Sequence, residues 1–148
     1  KNYPIASGRD RFLTVTKERS SYGPIINKTL AHINQSMTPN DSFMVMPDGV
    51  MLNYLSRRNN PSRYFEFTPN FVEAVGEEKM IHEISLAPPS FIILSKKDTS
   101  EHGAKNFGAD YALNIYSWIT DNYDKVFSTG DGTLTGNDFG ITIYKLKR

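Results

Sequence analysis

Two clusters of polar side chains, far apart in the chain, are the ones that could do chemistry. In Pro47–Pro61 (PDGVMLNYLSRRNNP) they are Asp48, Asn53, Arg57 and Arg58, with Gly49 freeing the backbone beside them. Paired arginines can grip a phosphate or carboxylate through bidentate hydrogen bonds, and Arg63 lies close by. In Pro88–Tyr111 (PPSFIILSKKDTSEHGAKNFGADY) they are Asp98, Ser100, Glu101 and His102. That set could supply an acid, a nucleophile and a base. No nucleophile elbow or other diagnostic spacing accompanies it, so no catalytic residue is assigned. Each cluster follows a short apolar run, Phe43–Met46 and Phe91–Leu94. Polar groups at the C-terminal ends of parallel strands lie where α/β folds bind ligands.

The elements that must hold these clusters can be read from periodicity. Ile26, Leu30, Ile33 and Met37 recur at helical spacing after Ser20, Ser21 and Pro24. Phe43–Met46 and Phe91–Leu94 are continuous apolar runs, as expected of strands covered on both faces. Val50–Leu55 suggests a short helix. Tyr64–Phe67 suggests another strand. A helix follows Pro69, interrupted near Gly76, with Met80, Ile81 and Ile84 inward. Tyr111, Ile115, Trp118 and Ile119 mark one helical face. Val126–Phe127 and Phe139–Tyr144 read as two last strands joined by a Gly-rich turn. Helices alternating with strands predict an α/β fold: a mainly parallel central sheet flanked by helices, with a C-terminal antiparallel hairpin at one edge. The Gly130–Gly136 loop precedes a strand, so it lacks the helix N-terminus that a phosphate loop requires.

Composition excludes several functions. The chain has 148 residues and fits one domain. Its formal charge is +1, without the surplus that an electrostatic nucleic-acid binder needs. It has no cysteine, hence neither disulfides nor thiolate metal sites. Glu78 and His82 share a helix face but lack the further ligands of a metal centre. Neither a metal nor a cofactor is expected. Residues 1–20 carry turn residues with little apolar period and read as a connector; residues 21–148 read as a single α/β domain.

Several segments together carry a resemblance. They are Ser7–Phe12 (SGRDRF), the two polar segments above, Asn106–Tyr111 (NFGADY), Ser117–Ile119 with Asn122 and Tyr123, and the closing Phe139–Ile141. In this order they resemble the C-terminal soluble region of bacterial polytopic membrane glycosyltransferases. These are similar to dolichyl-phosphate-mannose protein mannosyltransferases and aminoarabinose transferases. The resemblance implies a parent enzyme that uses polyprenyl-phosphate-linked sugars and carries its catalytic acid upstream of this region. It implies a non-catalytic accessory domain on the extracytoplasmic, periplasmic face of the inner membrane. Its partners would be the membrane portion of the same polypeptide and a glycan or lipid-linked sugar, not nucleic acid. The candidate binding residues are then Asp48, Gly49, Asn53, Arg57, Arg58, Asp98, Ser100, Glu101 and His102. A sugar- or phosphate-binding module and a small hydrolase using Ser100, Glu101 and His102 are the alternatives.

Overall fold

A computed structural model describes residues 2–15 and 20–148. The helices are α1 (Tyr22–Ser36), α2 (Val50–Ser56), α3 (Pro69–Val75), α4 (Glu77–Leu86) and α5 (Leu113–Asn122). The strands are β1 (Tyr3–Ile5), β2 (Phe12–Thr14), β3 (Phe43–Met46), β4 (Phe91–Ser95), β5 (Tyr123–Gly130) and β6 (Gly140–Leu146). β1 and β2 form an antiparallel hairpin, and the other four make a sheet in the order β3-β4-β6-β5.

β3 and β4 pair in parallel, with Phe43 opposite Phe91 and Met46 opposite Leu94. The expected mainly parallel sheet is not formed. β6 runs antiparallel to β4 on one side and to β5 on the other. The closing hairpin is therefore half of the sheet rather than an addition to its edge. The cause lies in β6. Ile141 and Ile143 cover one face, while Thr142 and Tyr144 pack on the other, and all four are buried. A strand apolar enough on both faces takes an interior position beside β4, and the short β5–β6 connection then forces antiparallel pairing.

Strand alternation divides the core into two layers. Met44, Met46, Ile92, Leu94 and Tyr144 meet Met80, Ile84, Ile115 and Ile119 of α4 and α5. Phe43, Val45, Phe91, Ile93, Ile141 and Ile143 meet Ile25, Ile26, Ile33 of α1 and Leu52 of α2. Each such large apolar side chain contributes roughly 1.5–3 kcal/mol on full burial. The helix after Pro69 breaks at Gly76, as its spacing suggests.

Tyr64–Phe67 is not a strand. Tyr64 and Phe67 both turn inward, and backbone hydrogen bonds to Asn59 and from Phe67 close the two ends of the outer edge of β3. Phe43 donates its backbone N–H to Asn59 O at 3.0 Å, and Phe67 donates to Pro47 O at 2.7 Å.

The stretch expected to be a connector is partly built into the fold. Ile5 of β1 is fully buried against α1. The Asn27 amide clamps the hairpin: its Oδ1 accepts from Ala6 N–H at 3.0 Å, and its Nδ2 donates to Pro4 O at 2.9 Å. Gly23 permits this seat, since a Cβ there would meet the Tyr3 ring. Lys1 and residues 16–19 of that stretch lie outside the described residues.

Candidate functional site

The ends of the parallel pair sort the candidate residues. The polar clusters of both segments begin at the C-terminal end, where Lys97 donates a charge-assisted hydrogen bond to Asp48. Gly49 makes the turn there at φ 149°, and a Cβ on it would meet Val45. From that point α2 leads away. Its 7 residues rise about 10 Å, which carries Arg57 and Arg58 to the opposite end of the strands.

Arg57 and Arg58 therefore do not approach Asp98 or Glu101, and the candidate binding residues of the two segments do not form one shared site. Arg57 pairs with Asp10 at 2.6 Å and lies over the Tyr54 ring. Arg58 donates to Thr38 O, Asn34 Oδ1, Ser56 O and Met37 O at 2.7–3.2 Å. Its guanidinium thus ties the end of α1 to the end of α2. Asn53 works alongside it, its Nδ2 donating to Phe43 O and Arg58 O. Arg63 grips Glu83 through both carboxylate oxygens at 2.9 Å. The arginines most able to hold a phosphate all have internal partners.

The second cluster also turns inward on itself. Asp98 accepts from both the backbone N–H and the hydroxyl of Ser100, which hold its carboxyl below the usual range. His102 Nε2 faces Glu101 Oε1 at 3.3 Å. Among the described residues no hydrogen bond joins Ser100 to His102, so the nucleophile–base contact of a hydrolase is missing. The buried Thr99 hydroxyl donates to Ala104 O at 2.7 Å, and Thr99 N–H donates to Lys105 O, which together fix the loop. Tyr111, at the base of that loop, has its hydroxyl pushed up to about 12 by burial.

Three depressions adjoin these groups. One, of about 400 Å³, opens at the C-terminal ends of β3 and β4 and contains Asp48, Gly49 and Asp98. Its walls include Tyr22 and Phe139, whose ring centroids stand 4.8 Å apart at 43°. Burial, and then the Asp48 charge, raise the Tyr22 hydroxyl pKa. The hydrogen bond to Asp48 raises that of Lys97. A second depression, broad and shallow, holds His102 beside Glu73, Glu77 and Glu78. Glu77 is engaged there as a cap, accepting from Ile115 N–H at 2.8 Å. The third is narrow and lies across β4, where Lys96 reaches Asp131 at 2.7 Å. Lys96 and two donors from Thr133 hold the Asp131 carboxyl far below the ordinary range.

Asp48, Gly49 and Asp98 are thus brought together. Asn53, Arg57 and Arg58 are removed to the other end. Ser100 and Glu101 are exposed on the rim, and His102 faces a different hollow. Sequence reasoning missed Tyr22, Lys97 and Phe139. Their one signal is that each stands at the end of a helix or strand. Among the described residues no three His, Asp or Glu side chains converge as a metal site requires, and no helix is long and apolar enough to cross a membrane.

Comparison with protein-family models, curated proteins and solved structures finds no match to this chain.

Proposed function

We propose that this chain is a non-catalytic accessory domain of a membrane glycosyltransferase that uses polyprenyl-phosphate-linked sugars, carried on the extracytoplasmic face. One observation carries the non-catalytic part: the Ser100 hydroxyl donates to Asp98 and not to His102. The remaining candidate groups are held by internal partners, which suits a scaffold better than a reaction centre. The membrane parent is drawn from the ordered set of sequence segments described above.

The β1–β2 hairpin supports an attachment role. Phe12, Leu13 and Val15 are exposed on it, with Arg9 and Arg11 alongside. Apolar side chains bordered by arginines suit a face turned toward a membrane protein and anionic headgroups.

The purified chain should not turn over a polyprenyl-phosphate sugar, because among the described residues no carboxylate is set beside a lipid-phosphate site. A reporter fused after Arg148 in the full-length parent should read as extracytoplasmic. Turnover by the chain alone, or a cytoplasmic reporter signal, would overturn the proposal.

A further inference from the structure

We infer that the hollow at the C-terminal ends of β3 and β4 is a binding site for a neutral pyranose, with Tyr22 and Phe139 as its aromatic wall and Asp48 and Lys97 as its polar rim. The site gives the accessory domain its contact with a glycan and rests on that reading.

Size, wall and charge all bear on the ligand. About 400 Å³ is room for a single sugar ring with its substituents. The two aromatic rings are half-buried and tilted against each other, leaving ring surface toward the hollow. The C–H face of a pyranose is apolar and stacks on such surface, while its hydroxyls need donors and acceptors at the edge. The rim supplies both. The Asp48 carboxylate has four lone-pair positions, and Lys97 takes one of its oxygens. The Lys97 ammonium has three donors, and among the described residues one is used. Gly49 and Val45 also line the hollow, and a Cβ on Gly49 would collide with the Val45 side chain.

Charge decides against phosphate. Lys96 and Lys97 balance Asp48 and Asp98 around the hollow, and the Lys96 ammonium is paired with Asp131. An anion would meet no net attraction there. The arginines that would favour one are at the other end of the strands. A polyhydroxylated neutral ring requires no net charge, and it can use both members of the pair at once.

The test is an amide-resolved NMR titration of the 148-residue chain. The probes are methyl glucoside, methyl mannoside and methyl N-acetylglucosaminide, with inorganic phosphate as the comparison. At least one glycoside should give saturable shifts confined to the residues around Tyr22, Asp48, Gly49, Lys97 and Phe139, and phosphate should give none there. Phe139→Ala should weaken binding about three- to tenfold, the worth of one aromatic contact. Asp48→Asn and Tyr22→Phe keep the shape of the rim and wall. They provide the reading if Phe139→Ala unfolds, and Asp48→Asn should weaken binding. Arg63→Ala, remote from the hollow, should leave it unchanged. No saturation by any glycoside, shifts centred elsewhere, or phosphate binding in the hollow would overturn the inference. These results are separable from the accessory-domain proposal, because binding is read on the chain alone and topology on the parent.

Discussion

The two ends of the β3–β4 pair use the same kinds of residues to opposite effect. At the N-terminal end, polar groups close the structure. Arg58 binds four acceptors drawn from two helix ends, and Asn53 binds two backbone carbonyls. Ser42 and Ser90 exchange backbone-to-hydroxyl hydrogen bonds, and the buried Tyr123 hydroxyl donates to Pro89 O at 2.9 Å. At the C-terminal end, Asp48 and Lys97 make an exposed pair beside an open hollow. The lesson is that an arginine-rich loop is not an anion site if backbone carbonyls reach it first. What matters is how much hydrogen-bonding capacity remains after folding.

Replacing Arg58 should break the contrast most severely. Arg58→Ala should lower stability by about 2 kcal/mol, since it leaves several carbonyls without a charged donor. Arg58→Lys should recover little, because an ammonium cannot reproduce the planar fork. Urea unfolding monitored by far-UV circular dichroism would measure both. A loss no larger than that of the exposed Arg57→Ala would erase the distinction between the ends. Tyr123→Phe should come next, at about 1 kcal/mol for one buried hydrogen bond. An unchanged urea midpoint would show that the Pro89 carbonyl finds another partner.

Lys97→Met should cost less than about 1 kcal/mol, as expected for an exposed ion pair. A larger loss would mean that this end is structural as well, and would weaken the case for a binding hollow.

The subtlest difference should appear on changing pH. The depressed Asp131 carboxyl stabilises the fold above the ordinary carboxylate range, and that contribution is lost as pH falls through and below it. The raised Lys97 ammonium acts in the other direction. Its contribution is present below its ordinary value and is lost as pH climbs through the raised one. The hollow end should therefore loosen in acid and in strong base while the Arg58 end holds. Amide hydrogen exchange around Lys97 and Thr133, compared with that around Asn53, would resolve the order. Asp131→Asn should abolish most of the acid sensitivity at the hollow end. Equal loosening at both ends would refute the contrast.

Much of this was legible in the residues. Phe43–Met46 and Phe91–Leu94 are apolar at every position, as strands covered on both faces are, and they do pair in parallel. The place of β6 was hidden by Thr142 and Tyr144, whose polar atoms imitate a solvent face although both side chains are buried. Tyr64–Phe67 alternates poorly because it lies over the β3 edge rather than within a ladder. The hollow was legible only in part: Asp48, Gly49 and Asp98 could be placed at the strand ends, but its aromatic wall could not. Tyr22, Asp48, Lys97 and Phe139 come from four separate segments, each ordinary by itself, and only the topology assembles them. The direction of α2 was the other hidden element. One short helix decides whether a residue ten positions after a strand stays at the same end or leaves it.

The sealing of β3 has a further consequence for self-association. With Asn59 and Phe67 bonded at the two ends of that edge, the longest open edge of the four-stranded sheet is β5. β5 is poorly suited to templating another copy. Asp124 and Lys125 are charged and exposed near its start, and its register slips between Lys125 and Phe127. A bulge and alternating charge twist and guard an edge against edge-to-edge stacking. The irregularity thus lies along the longest open edge of the four-stranded sheet.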